Sequence, residues 1–156
     1  MPSFIGFVPT PFDCIGGFFE LAPVSLSDTV FDLGSGDGRL LFTALKKGAG
    51  KVVGIELDPD LVKLSKKAAA RKHVADIATF IEKDIIDVNL ADATVVFCYL
   101  FPTASEALKP KFEAELKRGT RVVMESFQIY GWKPEKTIES GGKLFYLYTI
   151  PPEKAE

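Results

Sequence analysis

A glycine-rich loop and three acidic residues are the parts of this 156-residue chain whose types and spacing could do chemistry. The loop lies within TVFDLGSGDGRLL, residues 29–41, where three glycines alternate with other residues. Asp32 precedes the first glycine, Glu56 ends the apolar run VVGIE, and Asp84 ends ATFIEKD. Glycines let a backbone approach a ligand closely, and carboxylates accept hydrogen bonds from amino and hydroxyl groups. The pattern therefore predicts a small-molecule site.

Three classes of ligand compete for such a loop. A phosphate-binding P-loop needs a Lys after its last glycine, and this loop has none. A dinucleotide site needs Gly-x-Gly-x-x-Gly, whereas the spacing here is Gly34-x-Gly36-x-Gly38. Asp32 and Asp37 would also repel a pyrophosphate. S-adenosylmethionine, which has an ammonium, a sulfonium and no phosphate, fits the loop best.

Each of the three acids has a predicted partner on that cofactor. Asp32 receives the ammonium, Glu56 accepts from both ribose hydroxyls, and Asp84 accepts from the exocyclic amine of adenine. One such acid alone would indicate turn chemistry or a solvated strand end. Three acids at the ends of neighbouring strands favour a functional site.

The elements that must position these acids alternate between strands and helices. Strands are predicted for TVFDL, KVVGIEL, ATFIEKD, TVVFCYL and TRVVMESF; helices are predicted for DCIGGFFELA, GRLLFTALKKGAG, DPDLVKLSKKAAARKH and ASEALKPKFEAELKRG. Asp58 and Pro59 predict the start of the third helix, and Pro110 predicts a bend or restart in the last. EKTIES and KLFYLYTI predict a hairpin across Gly141 and Gly142. The predicted fold class is α/β: a Rossmann-like, doubly wound, mostly parallel sheet with a C-terminal antiparallel hairpin.

Length and composition predict one domain over 1–156, with residues 1–12 as an extended arm. The formal net charge of −2 argues against a broad nucleic-acid surface and leaves a basic protein substrate open. Cys14 and Cys98 lack metal-ligand spacing, so no metal is predicted. Neither a signal peptide nor an apolar run of about 20 residues is evident, so we expect a cytoplasmic protein without a membrane partner.

FDLGSGDGRLL followed by VVGIELDP resembles the class I, seven-β-strand methyltransferases that use S-adenosylmethionine. FVPTP, ATVVFCYLFPTASEALKPKFEAELKRGTRVV and SFQIYGWKPEKTI extend the resemblance to the small archaeal protein lysine methyltransferases. It implies seven strands ending in an antiparallel hairpin. It also implies methyl transfer to lysine ε-amines of proteins with relaxed substrate choice, chromatin proteins included, with S-adenosylhomocysteine as product. We expect a monomer that binds no nucleic acid directly.

The resemblance also assigns site residues. An N-terminal arm over the methionine end is implied for Pro9 and Thr10, and a position beside the transferable methyl for Cys98, Tyr99 and Leu100. The predicted cofactor contacts are Pro9, Thr10, Asp32, Gly34, Ser35, Gly36, Asp37, Glu56, Leu57, Asp84, Ile85, Cys98 and Tyr99.

Methylation of an amine is an in-line displacement that needs neutral lysine, whose free pKa is about 10.4. Desolvation lowers that pKa, and the proton can leave to solvent, so no strong general base is required. Tyr99 is the catalytic candidate, because its ring face could hold the ammonium in a lysine channel; a core tyrosine is an equal alternative. Phe127 and Trp132 are candidates for the opposite wall. His73 is predicted to be a charge partner at a helix end.

Other functions stay open at this point. Enzymes that methylate base amines usually place Asn/Asp-Pro-Pro-Tyr after the fourth strand, and FCYLFP lacks it. Small-molecule methyltransferases usually add a lid, for which 156 residues leave little room. A non-catalytic S-adenosylmethionine-binding subunit is a further alternative from a different class.

Overall fold

The computed structural model describes residues 15–99 and 102–155, whose strands form a seven-stranded sheet and a two-stranded ribbon. The strands are β1 (Thr29–Leu33), β2 (Lys51–Glu56), β3 (Ala78–Glu82), β4 (Val95–Cys98), β5 (Arg121–Glu125), β6 (Trp132–Lys133), β7 (Lys136–Ser140), β8 (Lys143–Thr149) and β9 (Glu153–Lys154). The helices are α1 (Gly16–Leu21), α2 (Arg39–Lys46), α3 (Pro59–Arg71) and α4 (Pro102–Glu115), with a 3₁₀ turn at Ile85–Asp87.

The sheet has the order β3-β2-β1-β4-β5-β8-β7. The strands from β3 to β5 run parallel, and β8 pairs antiparallel with both β5 and β7. After β3 the chain crosses back to β4 on the other side of β1. The strand order therefore reverses at β1, and a ligand site is expected at the carboxyl ends there. The predicted fold class is confirmed, including the antiparallel hairpin.

Apolar side chains cover both faces of the sheet, as parallel strands require. On the α1 face, helices α1, α2 and α3 pack over strand residues that include Val30, Val52 and Phe97. On the α4 face, α4 and the 3₁₀ turn pack over residues that include Leu33 and Cys98. Alternation along β1 thus assigns Val30 and Asp32 to the α1 face, and Leu33 to the α4 face.

The cap of α3 follows the sequence prediction. Asp58 has an extended backbone, and its Oδ1 accepts a hydrogen bond from the Asp60 N–H at 2.9 Å. Pro59 occupies the first helical position, where its missing N–H costs nothing. Because only Leu57 separates Asp58 from the last residue of β2, this cap fixes where the chain leaves the end of that strand.

The two-stranded ribbon formed by β6 and β9 was not predicted, because two-residue strands are too short to show a periodic pattern. Trp132 in β6 is 2 % exposed, with ring centroids 6.3 Å from Phe112 and 5.7 Å from Tyr148. It is a core residue of the α4 face rather than a channel wall.

Among the described helices, none combines the length and apolarity that crossing a membrane would require.

Helix α4 runs through Pro110 as one helix, so the predicted restart does not occur. Proline in a helix interior removes a hydrogen bond and crowds the preceding turn, at a cost of about 3 kcal/mol. Pro110→Ala should raise the free energy of unfolding by about 1–2 kcal/mol, because the greater freedom of the unfolded Ala chain offsets part of the gain. Urea unfolding at neutral pH measures this. Glu113→Ala, exposed on the same helix, is the control, and a less stable Pro110→Ala protein would contradict the prediction.

Candidate functional site

The register of the central strands aligns four residues at one edge of the sheet. Leu33 of β1 pairs with Ile55 of β2 and with Cys98 of β4, and Cys98 pairs in turn with Met124 of β5. One residue further along each chain come Gly34, Glu56, Tyr99 and Glu125. Since Asp32 pairs with Gly54 and Phe97, alternation assigns Asp32, Glu56 and Glu125 to the same α1 face.

Glu56 is held by two backbone donors. Its Oε1 accepts from the Gly36 N–H and its Oε2 from the Asp58 N–H, each at 2.9 Å. The side chain is 9 % exposed. A carboxylate oxygen can accept more than one hydrogen bond. Each oxygen therefore keeps the capacity to accept from one hydroxyl of a ribose.

The glycine loop adopts a conformation that other residues rarely take. Gly34, Gly36 and Gly38 have φ angles of +90°, +57° and +85°, which lie in the left-handed region that glycine enters without steric cost. The N–H groups of Gly34 and Ser35 donate to the Ile55 carbonyl at 2.8 and 3.0 Å. The loop is therefore anchored to the end of β2.

Gly54 in the middle of β2 makes room for this loop. A Cβ at Gly54 would lie 2.6 Å from Ser35 Oγ and 2.7 Å from the Phe80 ring. Ser35 is 5 % exposed, and its Oγ has no hydrogen-bond partner among the described residues. Gly54 was missed at the sequence level, although an isolated glycine in a strand is itself a signal of close approach.

Asp37 is neutralised within the loop. Arg39 Nη2 donates to its Oδ2 at 2.7 Å, and Arg39 Nε donates to its Oδ1 at 3.0 Å. The hydrogen bond from the Arg39 side chain lowers the pKa of Asp37. Of these two acids, Asp32 is therefore the one that would mainly repel a pyrophosphate. A contact between Asp37 and the cofactor stays a prediction.

Asp32 is a buried acid surrounded by other acids. Its side chain is 7 % exposed. Burial raises the pKa of Asp32 well above its usual value, and the nearby charges of Glu56, Glu125 and Asp37 raise it further. A cation bound beside Asp32 would reverse this effect. The site is thus built to receive positive charge.

The residues predicted to contact the adenine end differ in how open they are. Asp84 is half-buried, and its Oδ1 accepts from the Ile86 N–H at 3.1 Å at the start of the 3₁₀ turn. Leu57, directly after Glu56, is 37 % exposed. Ile85 is buried on the α4 face, so its side chain serves the core.

The last residue of β4 and the residue after it differ in burial. Cys98 is fully buried on the α4 face, where burial raises the pKa of its thiol. A contact from Cys98 to the cofactor would have to come from its backbone. Tyr99 is half-buried at the strand end. Pro9, Thr10 and Leu100 lie outside the described residues.

His73 lies away from the site. It is exposed, follows α3 with φ +58°, and its N–H donates to the Ala70 carbonyl at 3.1 Å. Helix α3 begins at the carboxyl end of β2 and leads back to the start of β3. His73 therefore lies near the amino ends of the strands, opposite the candidate site.

Comparison with known proteins identifies the enzyme family. The ANTKMT methyltransferase domain matches residues 32–136. The chain belongs to this methyltransferase family. The protein-lysine N-methyltransferase of Saccharolobus islandicus (strain REY15A) is 38% identical over 155 residues, which cover 96% of each chain. The adenine nucleotide translocase lysine N-methyltransferase of Mus musculus is 34% identical over 76% of this chain and 52% of the mouse protein, so this methyltransferase spans about half of that relative.

A solved structure extends the comparison to the cofactor. It is described as an RNA methyltransferase from Salinibacter ruber in complex with S-adenosyl-L-homocysteine. It is 40% identical to this methyltransferase, covers 96% of this chain and 97% of its own, and superposes with a TM-score of 0.89. The predicted enzyme class, the lysine methyltransferase family and the cofactor S-adenosylmethionine are confirmed. The buried acids and the glycine loop fit this cofactor, which supplies an electrophilic methyl group when bound.

Glu125 is a further acid at this edge that was not selected from the sequence. It ends β5, is 1 % exposed, and its Oε1 has no hydrogen-bond partner among the described residues. Burial raises the pKa of Glu125 from 4.5 to about 7, and Lys143 partly opposes that shift. The signal was present, because RVVME ends an apolar strand with an acid just as VVGIE does.

Glu56→Gln should weaken the binding of S-adenosylhomocysteine by about 10- to 100-fold, since hydrogen bonds to charged groups contribute about 1.5–3 kcal/mol. The NH2 group of the glutamine side chain would also face one of the two backbone N–H groups, so that a donor would lie against a donor. Calorimetric titration measures the affinity. Glu82→Gln is the control. Glu82 lies on β3, opposite Glu56 in the strand register, but it is exposed. Equal affinities for Glu56→Gln and wild type would reject the ribose role.

Glu125 should destabilise the ligand-free protein as pH rises. Its folded pKa of about 7 lies above the ordinary 4.5, so the unfolded state releases its proton first and stability falls between those two values. Glu125→Gln should therefore be more stable than wild type by about 3 kcal/mol at pH 8 and about equal at pH 4. Urea unfolding at both pH values tests this, and a difference that does not change with pH would contradict it.

Proposed function

We propose that this methyltransferase transfers methyl groups from S-adenosylmethionine to lysine ε-amines of proteins. The observation that carries the proposal is the group of three buried carboxylates on one face at the switch point of the sheet, Asp32, Glu56 and Glu125. Such a site favours two cations side by side, the cofactor and a lysine ammonium. The match to the archaeal protein-lysine N-methyltransferase over 96% of both chains supports the same acceptor.

The proposed cofactor site assigns one role to each acid. Asp32 holds the methionine ammonium, Glu56 the ribose hydroxyls and Asp84 the exocyclic amine of adenine. The exposed Leu57 offers an apolar contact for the adenine ring. The left-handed glycine loop lets backbone atoms of Gly34 approach the methionine end, with Ser35 and Gly36 beside it.

The remaining proposals concern the acceptor side. Tyr99, half-buried beyond β4, lines the lysine channel with its ring. Pro9 and Thr10 contact the methionine end from the N-terminal arm. Basic proteins, chromatin proteins among them, are the proposed substrates. A monomeric, single-domain enzyme located in the cytoplasm completes the proposal.

RNA is the second candidate acceptor, because the Salinibacter ruber relative is described as an RNA methyltransferase. Helix α3 carries an exposed basic stripe that includes Lys63, Lys67 and Arg71, which could contact a phosphate backbone. The formal net charge of −2 and the acidic site oppose this alternative. Base methylation would also require a planar base to enter a site dominated by carboxylates.

The experiment is a competition between the two acceptors. The purified full chain is incubated with methyl-labelled S-adenosylmethionine, a small lysine-rich basic protein and total RNA, separately and together. We expect label in the protein, at lysines identified by mass spectrometry, and an at least roughly 10-fold loss with Asp32→Asn because the cofactor ammonium loses its partner. Label confined to RNA would overturn the proposal.

A further inference from the structure

Among the residues that the structure describes, Glu125 is the buried acid at this end of the sheet that the cofactor does not account for. Asp32, Glu56 and Asp84 face the three polar regions of S-adenosylmethionine in the proposed site. Glu125 lies on the other side of β4, where β5 pairs with β4 through Cys98 and Met124. Its Oε1 is buried without a hydrogen-bond partner among the residues described. A buried acceptor of this kind costs stability unless a ligand satisfies it.

We propose that Glu125 binds the ε-ammonium of the substrate lysine and takes its proton. The inference rests on the proposed lysine acceptor and adds a catalytic residue to it. Glu125 is then the base that sequence reasoning did not find. The proton passes to a group inside the site rather than directly to solvent.

The strand geometry separates the two cationic ligands. Adjacent strands lie about 4.8 Å apart, so β1 and β5, on either side of β4, are about 10 Å apart. That distance leaves room for the methionine end beside Asp32 and for a lysine side chain beside Glu125. Tyr99 directly follows β4, the strand between them, and in this proposal its ring contacts the lysine methylenes and ammonium.

The charged groups that face Glu125 can be named element by element. Lys143 on β8 is the cation whose charge acts on it, and Asp32 on β1 is the nearby acid. Helix α1, which packs against β5, carries one acid, Glu20, which is exposed. On the β4 side, Tyr99 is the neighbouring titratable group, since Cys98 is buried on the α4 face. In the part of the chain that the structure describes, no basic side chain forms an ion pair with Glu125 within 4.0 Å.

The proposed step is balanced in atoms and charge. The Glu125 carboxylate accepts one proton from the ε-ammonium, which leaves a neutral carboxylic acid and a neutral amine. The amine lone pair then forms the bond to the methyl carbon. The carbon–sulfur bond breaks, and its electron pair stays on sulfur as a thioether. The methylated amine carries the positive charge, and Glu125 returns its proton to solvent after product release.

The test is the pH profile of kcat/KM for Glu125→Gln on a lysine substrate. In wild type, kcat/KM should rise through about pH 7 and then level off, because Glu125 must be ionised. In the variant the rate should follow the ionisation of free lysine, near 10.4. We expect a loss of roughly 500-fold at pH 7.5 that shrinks to about threefold at pH 10, because the neutral fraction of free lysine rises about 200-fold between these pH values.

Three further measurements and one control variant separate catalysis from a structural role. Binding of S-adenosylhomocysteine should change by less than about threefold in Glu125→Gln, and the unfolding temperature at each assay pH should not fall. A substrate with thialysine, whose amine is less basic than lysine, should recover part of the lost rate. Glu82→Gln, which is exposed on β3, should keep the wild-type profile.

The outcomes distinguish this inference from the proposed function. If wild type labels lysine but Glu125→Gln loses the same factor at pH 7.5 and pH 10, the role of Glu125 as base is wrong. A loss of less than threefold at pH 7.5 would overturn it as well. If wild type labels only RNA, the lysine acceptor itself is wrong and the role of Glu125 fails with it.

Discussion

The site depends on one carboxylate that accepts from two backbone N–H groups. Glu56 binds Gly36 in the loop after β1 and Asp58 at the start of α3, each at 2.9 Å. The ends of β1 and β2 are therefore fixed relative to each other by a side chain as well as by strand pairing. Both partners are donors, so the position requires an acceptor at both oxygens. An acid at this strand end satisfies the backbone and keeps lone pairs for a ligand.

The same edge of the sheet gathers more negative charge than the fold itself needs. Asp32 and Glu125 are buried, and the pKa of each is raised chiefly by burial. Asp37 is different, because Arg39 neutralises it. Stability alone would favour pairing or replacing such acids, so their presence fits a site whose ligands bring the missing positive charge.

Much of this fold could be predicted because its signals are local. The strand TVFDL, the Asp58 cap and the hairpin across Gly141 and Gly142 each depend on a few adjacent residues. The acids at the ends of β2 and β3 were predictable for the same reason. The role of Gly54 was not, because it depends on the approach of Ser35 in the loop after β1. Arg39 is two residues from Asp37 in the sequence, but the sequence does not show that its side chain turns back to that carboxylate.

Glu125 illustrates a limit of a different kind. Its residue type and its place after RVVM were visible, but its meaning comes from the register across β4, which links it to Asp32 and Glu56. Register between strands that are distant in sequence depends on the packed sheet. Trp132 was misjudged for the same reason, since its burial against Phe112 and Tyr148 arises from long-range packing.

The position of β8 has a consequence for how the molecule assembles. This strand comes late in the chain but inserts between β5 and β7, and the early helix α1 packs on β7, β8 and β5. The ring of Phe145 fills the space that Gly17 leaves open. During synthesis, the backbone groups on one edge of β5 therefore stay unpaired until the hairpin of β7 and β8 has emerged from the ribosome. The enclosure around Glu125 forms only in that last step, so an incomplete chain exposes a strand edge prone to intermolecular pairing before it can hold a substrate.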